Sequence, residues 1–278
     1  MKNQLHCGNH ILDLDKPVVM GILNVTPDSF SDGGLFNRLD TALEHAHQLK
    51  KNGADIIDIG GESTRPGAEP VAEQAELDRV IPVIEKITSQ IDIPVSVDTS
   101  KARVMTEAVN AGAGMVNDVM ALSCDGALQA VAEMAPSIAV CLMHMQGKPR
   151  SMQENPVYDE VVRDVYDFLL NRATECEKAG IQRNRLVIDP GFGFGKTLAH
   201  NIALLKQLND FKKAGLPLLV GISRKSMLGK LLGDVPPDQR IDASVAAAVL
   251  AYERGANILR VHDVKQTVDA LKIVSAII

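Results

Sequence analysis

Eight short apolar runs, each separated from the next by a longer stretch, constrain the fold of this chain more than any other feature. They are Val18–Leu23, Asp55–Ile59, Pro94–Val97, Met115–Asn117, Ile138–Met143, Leu186–Ile188, Leu218–Gly221 and Ile258–Val261. Continuous apolar runs of this length fit parallel strands buried on both faces. Most of the stretches between them have helical periodicity. Val161, Val165, Phe168, Leu169 and Ala173 follow the i, i+4, i+7, i+8, i+12 spacing of one helix face. Gly53, Gly112, Gly180, Gly215 and Gly255 each fall a few residues before a strand, where a glycine ends a helix cheaply in the left-handed conformation. Eight strands, seven intervening segments and a final helix over Val264–Ile278 predict an α/β fold, a (β/α)8 barrel of the TIM type. An open doubly wound sheet is the alternative, but it usually has fewer strands and needs a switch point that the sequence does not display. Ahead of the first strand, Gly8-Asn9 between two short runs reads as a small hairpin turn that covers the N-terminal end of the barrel.

Length agrees with this reading. The 278 residues lie close to the roughly 250 of one such barrel. No linker or composition shift divides them, so residues 1–278 read as a single domain. A net charge of −6 argues against a general nucleic-acid binder and requires any phosphate site to be a local basic focus. Cys7, Cys124, Cys141 and Cys176 are scattered and form no CxxC pair, so they read as reduced thiols. The N-terminus lacks the apolar run of a signal peptide. No stretch approaches the roughly 20 apolar residues of a membrane span. A cytoplasmic protein is expected.

In a barrel of this kind the active site is built where the strands end. Those ends carry Asn24, Glu62 and Thr64, Asp98, Asn117 with Asp118, His144, Asp189, Ser223 through Ser226, and Arg260 with His262. Two chemistries are present. Asp98, Asn117 and Asp189 offer the acceptors and the amide that suit the amidine-like edge of a polar heterocycle. Lys225, Arg260 and His262 suit phosphate oxygens, and Ser223-Arg224-Lys225-Ser226 also opens a helix whose free N–H groups favour an anion. Blander roles compete. Any of the carboxylates is open to use as a barrel ion pair, and Asp98-Thr99-Ser100 also reads as a helix N-cap. His262 has an ordinary packing alternative, and packing is the expected role of His144. His6, His10, His45, His47 and His200 read as structural or exposed, and the methionines as core.

Gly191-Phe192-Gly193-Phe194-Gly195-Lys196-Thr197 ends like a nucleotide P-loop but has three residues, not four, between its first glycine and the Gly-Lys pair. It reads instead as a glycine-rich loop that lets backbone approach a ligand. The stretches 26–34 and 62–67 are longer than a barrel requires and are candidate lids.

These segments carry a resemblance. MGILNVTPDSFSDGG (20–34), IIDIGGESTRPGA (56–68), VSVDTSK (95–101), VNDV (116–119), CLMHMQG (141–147), DPGFGFGK (189–196), GISRKSM (221–227) and RVHD (260–263) resemble, in order and over essentially the whole chain, the dihydropteroate synthases of the pterin-binding family. The resemblance implies condensation of (7,8-dihydropterin-6-yl)methyl diphosphate with 4-aminobenzoate to 7,8-dihydropteroate and diphosphate. It implies that Asp98, Asn117 and Asp189 hold the pterin with Lys225 nearby, and that Asn24, Arg260 and His262 hold the diphosphate. Asn24 would also place Mg²⁺, Thr64 would contact the pterin diphosphate, and Asp32 would shield the developing cation. Phe30, Arg65, Pro66, Lys225 and Ser226 would form the aminobenzoate pocket, which sulfonamides would share. A homodimer is implied too; the apolar face of a late helix over Asp242–Arg254, with Val245, Val249 and Leu250, could serve it or equally pack against the barrel. The rivals are a pterin-dependent methyltransferase, which needs no diphosphate clamp, and a non-catalytic pterin-binding protein. A nucleotide enzyme would rest on the near-miss loop alone.

Overall fold

The alternation of strand and helix closes into a ring in a computed structural model of the chain, which describes residues 3–26, 35–63, 67–147 and 151–277. First come β1 (Gln4–Cys7) and β2 (His10–Asp13), an antiparallel hairpin whose turn uses Gly8 at φ +64°. The barrel strands follow: β3 (Val18–Asn24), β4 (Ile56–Gly60), β5 (Val95–Asp98), β6 (Met115–Asp118), β7 (Ala139–Met143), β8 (Leu186–Asp189), β9 (Leu219–Val220) and β10 (Ile258–Val261). All pair in parallel, in the order β8-β7-β6-β5-β4-β3-β10-β9. A bridge from Ile188 to Leu218, with the Ile188 N–H donating to the Pro217 carbonyl at 2.9 Å, joins the two ends.

The helices are α1 (Leu35–Lys51), α2 (Glu73–Gln90), α3 (Ala102–Asn110), α4 (Ala127–Ala132), α5 (Val161–Lys178), α6 (Leu198–Lys206), α7 (Ser226–Leu231), α8 (Ile241–Glu253) and α9 (Val264–Ser275). The last stops three residues short of its expected end. On α5 the predicted face is the buried one, with Val161, Val165, Leu169 and Ala173 inside and Phe168 packed against the core. The five helix-ending glycines all have positive φ. The four cysteines are unpaired. Among the described residues no helix is long and apolar enough to cross a membrane.

Two cores result from the strand period of two. Val19, Ile57, Ile59, Val97, Val116, Val140, Leu186, Ile188, Val220 and Leu259 face the helices. The alternate residues face the bore. There Val18, Met20, Ile56, Met115, Cys141, Val187, Leu219 and Ile258 pack on Leu5, Cys7, Leu12 and Leu14, so the hairpin plugs the N-terminal end as expected. Two residues further along, the inward positions change character: Ile56 gives way to Asp58, Met115 to Asn117, Val187 to Asp189 and Ile258 to Arg260. The bore is greasy below and charged above.

Candidate active site

Register sets the upper layer. Asn24, Gly60, Asp98 and Asn117 lie side by side on β3 to β6. A Cβ on Gly60 would sit 3.6 Å from both Asn24 Oδ1 and Asp98 Cβ, so glycine keeps the space between them open. Arg260 reaches across the bore, donating from Nε to Asp58 Oδ2 at 2.6 Å and from one terminal nitrogen to Asp98 Oδ2 at 2.7 Å. Asn117 donates from Nδ2 to the same Asp58 oxygen at 3.2 Å. Burial pushes the Asp98 carboxyl up to about 7; Arg260 opposes the rise, while Asp58, Asp118 and Glu76 add to it. Burial acts against the Arg260 cation, but Asp58 and Asp98 outweigh it and leave the guanidinium more basic than usual. Arg260 is therefore a permanent cation and Asp98 an acid poised near neutrality.

Across the mouth, Asp189 ends β8 with its Oδ1 accepting the Gly191 N–H at 2.7 Å. Burial raises its pKa against the pull of Lys225. Lys225 donates to the Phe192 carbonyl and lies 4.4 Å from the centroid of the Phe194 ring. Burial lowers its pKa to about 8, with Asp189 resisting. His262 ends β10. Ser223 Oγ lies 3.0 Å from its Nδ1 and accepts its backbone N–H at 3.2 Å.

The glycine-rich loop carries no free cation for a nucleotide. Lys196 is turned inward, with Nζ bonded to His144 Nδ1 at 2.8 Å and to the carbonyls of Gly191, Phe194 and His144 at 2.9, 3.0 and 3.3 Å. Its glycines are required by close approach: a Cβ on Gly191 or Gly195 would run into the carbonyl of His144 or Gln146. His144 has the packing role expected of it, edge-on to Phe168 with ring centroids 4.9 Å apart.

Other expectations need correction. Arg224 does not belong to the anion cluster, because it sits at φ +58° with its guanidinium on Asp263 at 3.0 and 2.5 Å. Helix α7 starts at Ser226 and spans six residues, so Lys225, not Ser223, is its N-cap. Ser226 is exposed at the mouth. Asp98 is no helix cap, since α3 is capped by Lys101. Asp118 faces away from the bore and ties a turn, accepting from Ser100 Oγ at 2.5 Å and from the N–H groups of Met120 and Leu122 at 2.8 and 2.7 Å. Glu62 pairs with Lys101, which also meets the buried Glu76. Phe30, Asp32, Thr64, Arg65 and Pro66 lie outside the described residues.

This geometry has close counterparts. The pattern of the pterin binding enzyme family matches residues 20–262. A dihydropteroate synthase of Escherichia coli (strain K12) is 54% identical over 265 residues, 95% of this chain and 93% of the relative. The chain belongs to the dihydropteroate synthases. It is a transferase. A Yersinia pestis dihydropteroate synthase solved as a sulfonamide drug complex superposes with a TM-score of 0.93 at 55% identity, over 99% of this chain and 98% of that one. The Xanthomonas albilineans dihydropteroate synthase solved with 4-aminobenzoic acid also gives 0.93, at 52% identity over 100% and 98%.

For a dihydropteroate synthase, the sequence located the strand-end residues but missed Asp58, which lay hidden inside a run read as apolar. A carboxylate between Ile57 and Ile59 was the available signal.

Proposed function

We propose that the chain makes 7,8-dihydropteroate through a pterin cation formed by loss of diphosphate. Asp98, Asn117 and Asp189 take the pterin edge, and Asn24, Arg260 and His262 take the diphosphate. The observation that carries this reading is the convergence of Asp98, Asn117 and Arg260 on one connected layer of the bore mouth, with acceptors and cation in contact. The C–O bond to diphosphate breaks with both electrons leaving on oxygen. The positive charge on the exocyclic carbon spreads into the ring beside Asp98 and Asp189. Fixed charges in a buried site stabilise such a state without reorganising. The arylamine nitrogen then forms the C–N bond and releases its proton. The amine is already nucleophilic, so no strong base is required.

Phe30, Arg65 and Pro66, with Lys225 and Ser226, are assigned to the aminobenzoate pocket, which sulfonamides would occupy. Thr64 is assigned to the pterin diphosphate and Asp32 to shielding of the cation. The donor set fits Mg²⁺ in one way. Among the described residues no group of three or more His, Cys, Asp or Glu could hold a metal alone. The ion would therefore rest on Asn24, the diphosphate and water, as a small hard cation prefers. Bound there, it would neutralise charge on the leaving group. We place the protein in the cytoplasm as one barrel domain over 1–278 and as a homodimer, without nucleic-acid or membrane partners. Support for the dimer comes from α8, which turns Ser244, Ala247, Ala248 and Ala251 inward and leaves Leu250 exposed.

The test is diphosphate release from the pterin diphosphate with Mg²⁺, with and without 4-aminobenzoate, for the wild type and Lys225→Ala. Release in step with dihydropteroate, and sharply reduced in the variant, is expected. Tight pterin binding without turnover would overturn the synthase reading in favour of a methyltransferase or a binding protein.

A further inference from the structure

Asp58 has no part in the chemistry above, yet it is the residue on which two members of the site hang. It faces the bore from β4, one inward step below Gly60, and is fully buried. In register with it across the neighbouring strands are Ile22 and Ser96, followed by Met115. A carboxylate at this depth is costly unless paired, and an apolar side chain would fill the space at least as stably. Packing does not explain its presence.

Its contacts do. One oxygen, Oδ2, accepts both Arg260 Nε at 2.6 Å and Asn117 Nδ2 at 3.2 Å, while Oδ1 is buried with no hydrogen-bond partner. Left to itself, an arginine fork tends to close on one carboxylate with two parallel bonds. Here the fork is split, with Nε on Asp58 and a terminal nitrogen on Asp98. Asp98 is thus held by a single bond that a ligand N–H can replace, and Arg260 keeps a charged partner when that happens. The Asn117 amide is set by the same oxygen. With Nδ2 committed to Asp58, its carbonyl oxygen is turned away from the carboxylate as an acceptor, which fixes the donor and acceptor sense shown to a heterocycle.

We propose that Asp58 is the positioning residue of the pterin site, holding Arg260 and Asn117 so that Asp98 is released to the heterocycle. The inference rests on the pterin reading above and deepens it.

Two variants test it. Asp58→Asn is nearly isosteric but carries an N–H2 that competes with that of Asn117. Asp58→Leu fills the bore with an apolar group and leaves the arginine fork to close on Asp98. Binding of 6-hydroxymethyl-7,8-dihydropterin is followed by calorimetry, beside steady-state kinetics and melting. Both variants are expected to melt no lower than a few degrees below wild type and to bind the pterin about tenfold or more weakly. The KM for the pterin diphosphate should rise while that for 4-aminobenzoate stays put. Adding Asp58→Asn to an Arg260→Met, Asn117→Ala background should change pterin affinity by less than about twofold, because Asp58 acts through those two residues. Wild-type pterin affinity in either folded variant would overturn the proposal. So would an undiminished effect of Asp58→Asn in the double background. If the wild type itself bound no pterin, the pterin reading would fall first.

Discussion

The two halves of the bore are built from the same eight strands and do opposite work. Below, Met20, Ile56, Met115, Val187 and Ile258 meet the hairpin side chains Leu5 and Leu12 in a sealed apolar plug. Above, the next inward positions on four of the five strands are polar: Asp58, Asn117 and Arg260 join Asp98 in one connected layer, and Asp189 stands across the mouth, tied to the Gly191 N–H. Burying apolar surface is favourable, at roughly 25 cal/mol per Å², so the lower half is a source of stability. Burying charge is unfavourable, and the raised pKa values of Asp98 and Asp189 are the mark of that cost. Stability and chemistry are divided along the strand axis, two residues apart.

Substitutions that separate the halves sharpen the contrast. The largest effect is expected of Asp189→Asn, which keeps an acceptor for the Gly191 N–H but removes the charge. Turnover should fall about a hundredfold or more. Because the folded protein raises the pKa of Asp189, its ionised form costs stability above the unfolded value. Melting above neutral pH should therefore stay level or rise; a marked drop would blur the division. In the lower half, Met20→Ala should cost about 2–5 kcal/mol of stability and lower Tm by roughly 5–15 °C. Its kcat/KM, measured per folded molecule, should match wild type, and a tenfold loss would show that the plug reaches the chemistry.

Titration probes the upper half alone. Asp98 acts ionised and Lys225 acts protonated, so kcat/KM should rise as pH climbs through about 7 and fall as it climbs through about 8. A rate profile level across that whole range would refute those roles. The smallest effect is expected of Ser223→Ala, which removes the hydroxyl 3.0 Å from His262 Nδ1. A loss of about fivefold in kcat/KM, with melting little changed, is the expected outcome.

Much of this was legible in the chain itself. Helix-ending glycines, the α5 face and the polar strand ends can be read because each follows from local backbone rules, and the structure bears them out at Gly53, Val165 and Asp189. Arg224 and Lys225 show where legibility stops. They are adjacent cations at one strand end, yet one locks onto Asp263 and the other reaches the Phe192 carbonyl. No local pattern separates them. Lys196 is similar: spacing alone sets its loop apart from a nucleotide P-loop, but only folding shows the ammonium buried among carbonyls.

The order of elements, the barrel, and the residue types gathered at its mouth were therefore determined by the sequence alone. Tertiary structure decided which of those residues face one another. The reason is that strands buried on both faces carry no polar side to reveal their parity. Closure of the ring assigns it, turning Asp58 into the bore and Asp118 out to a turn.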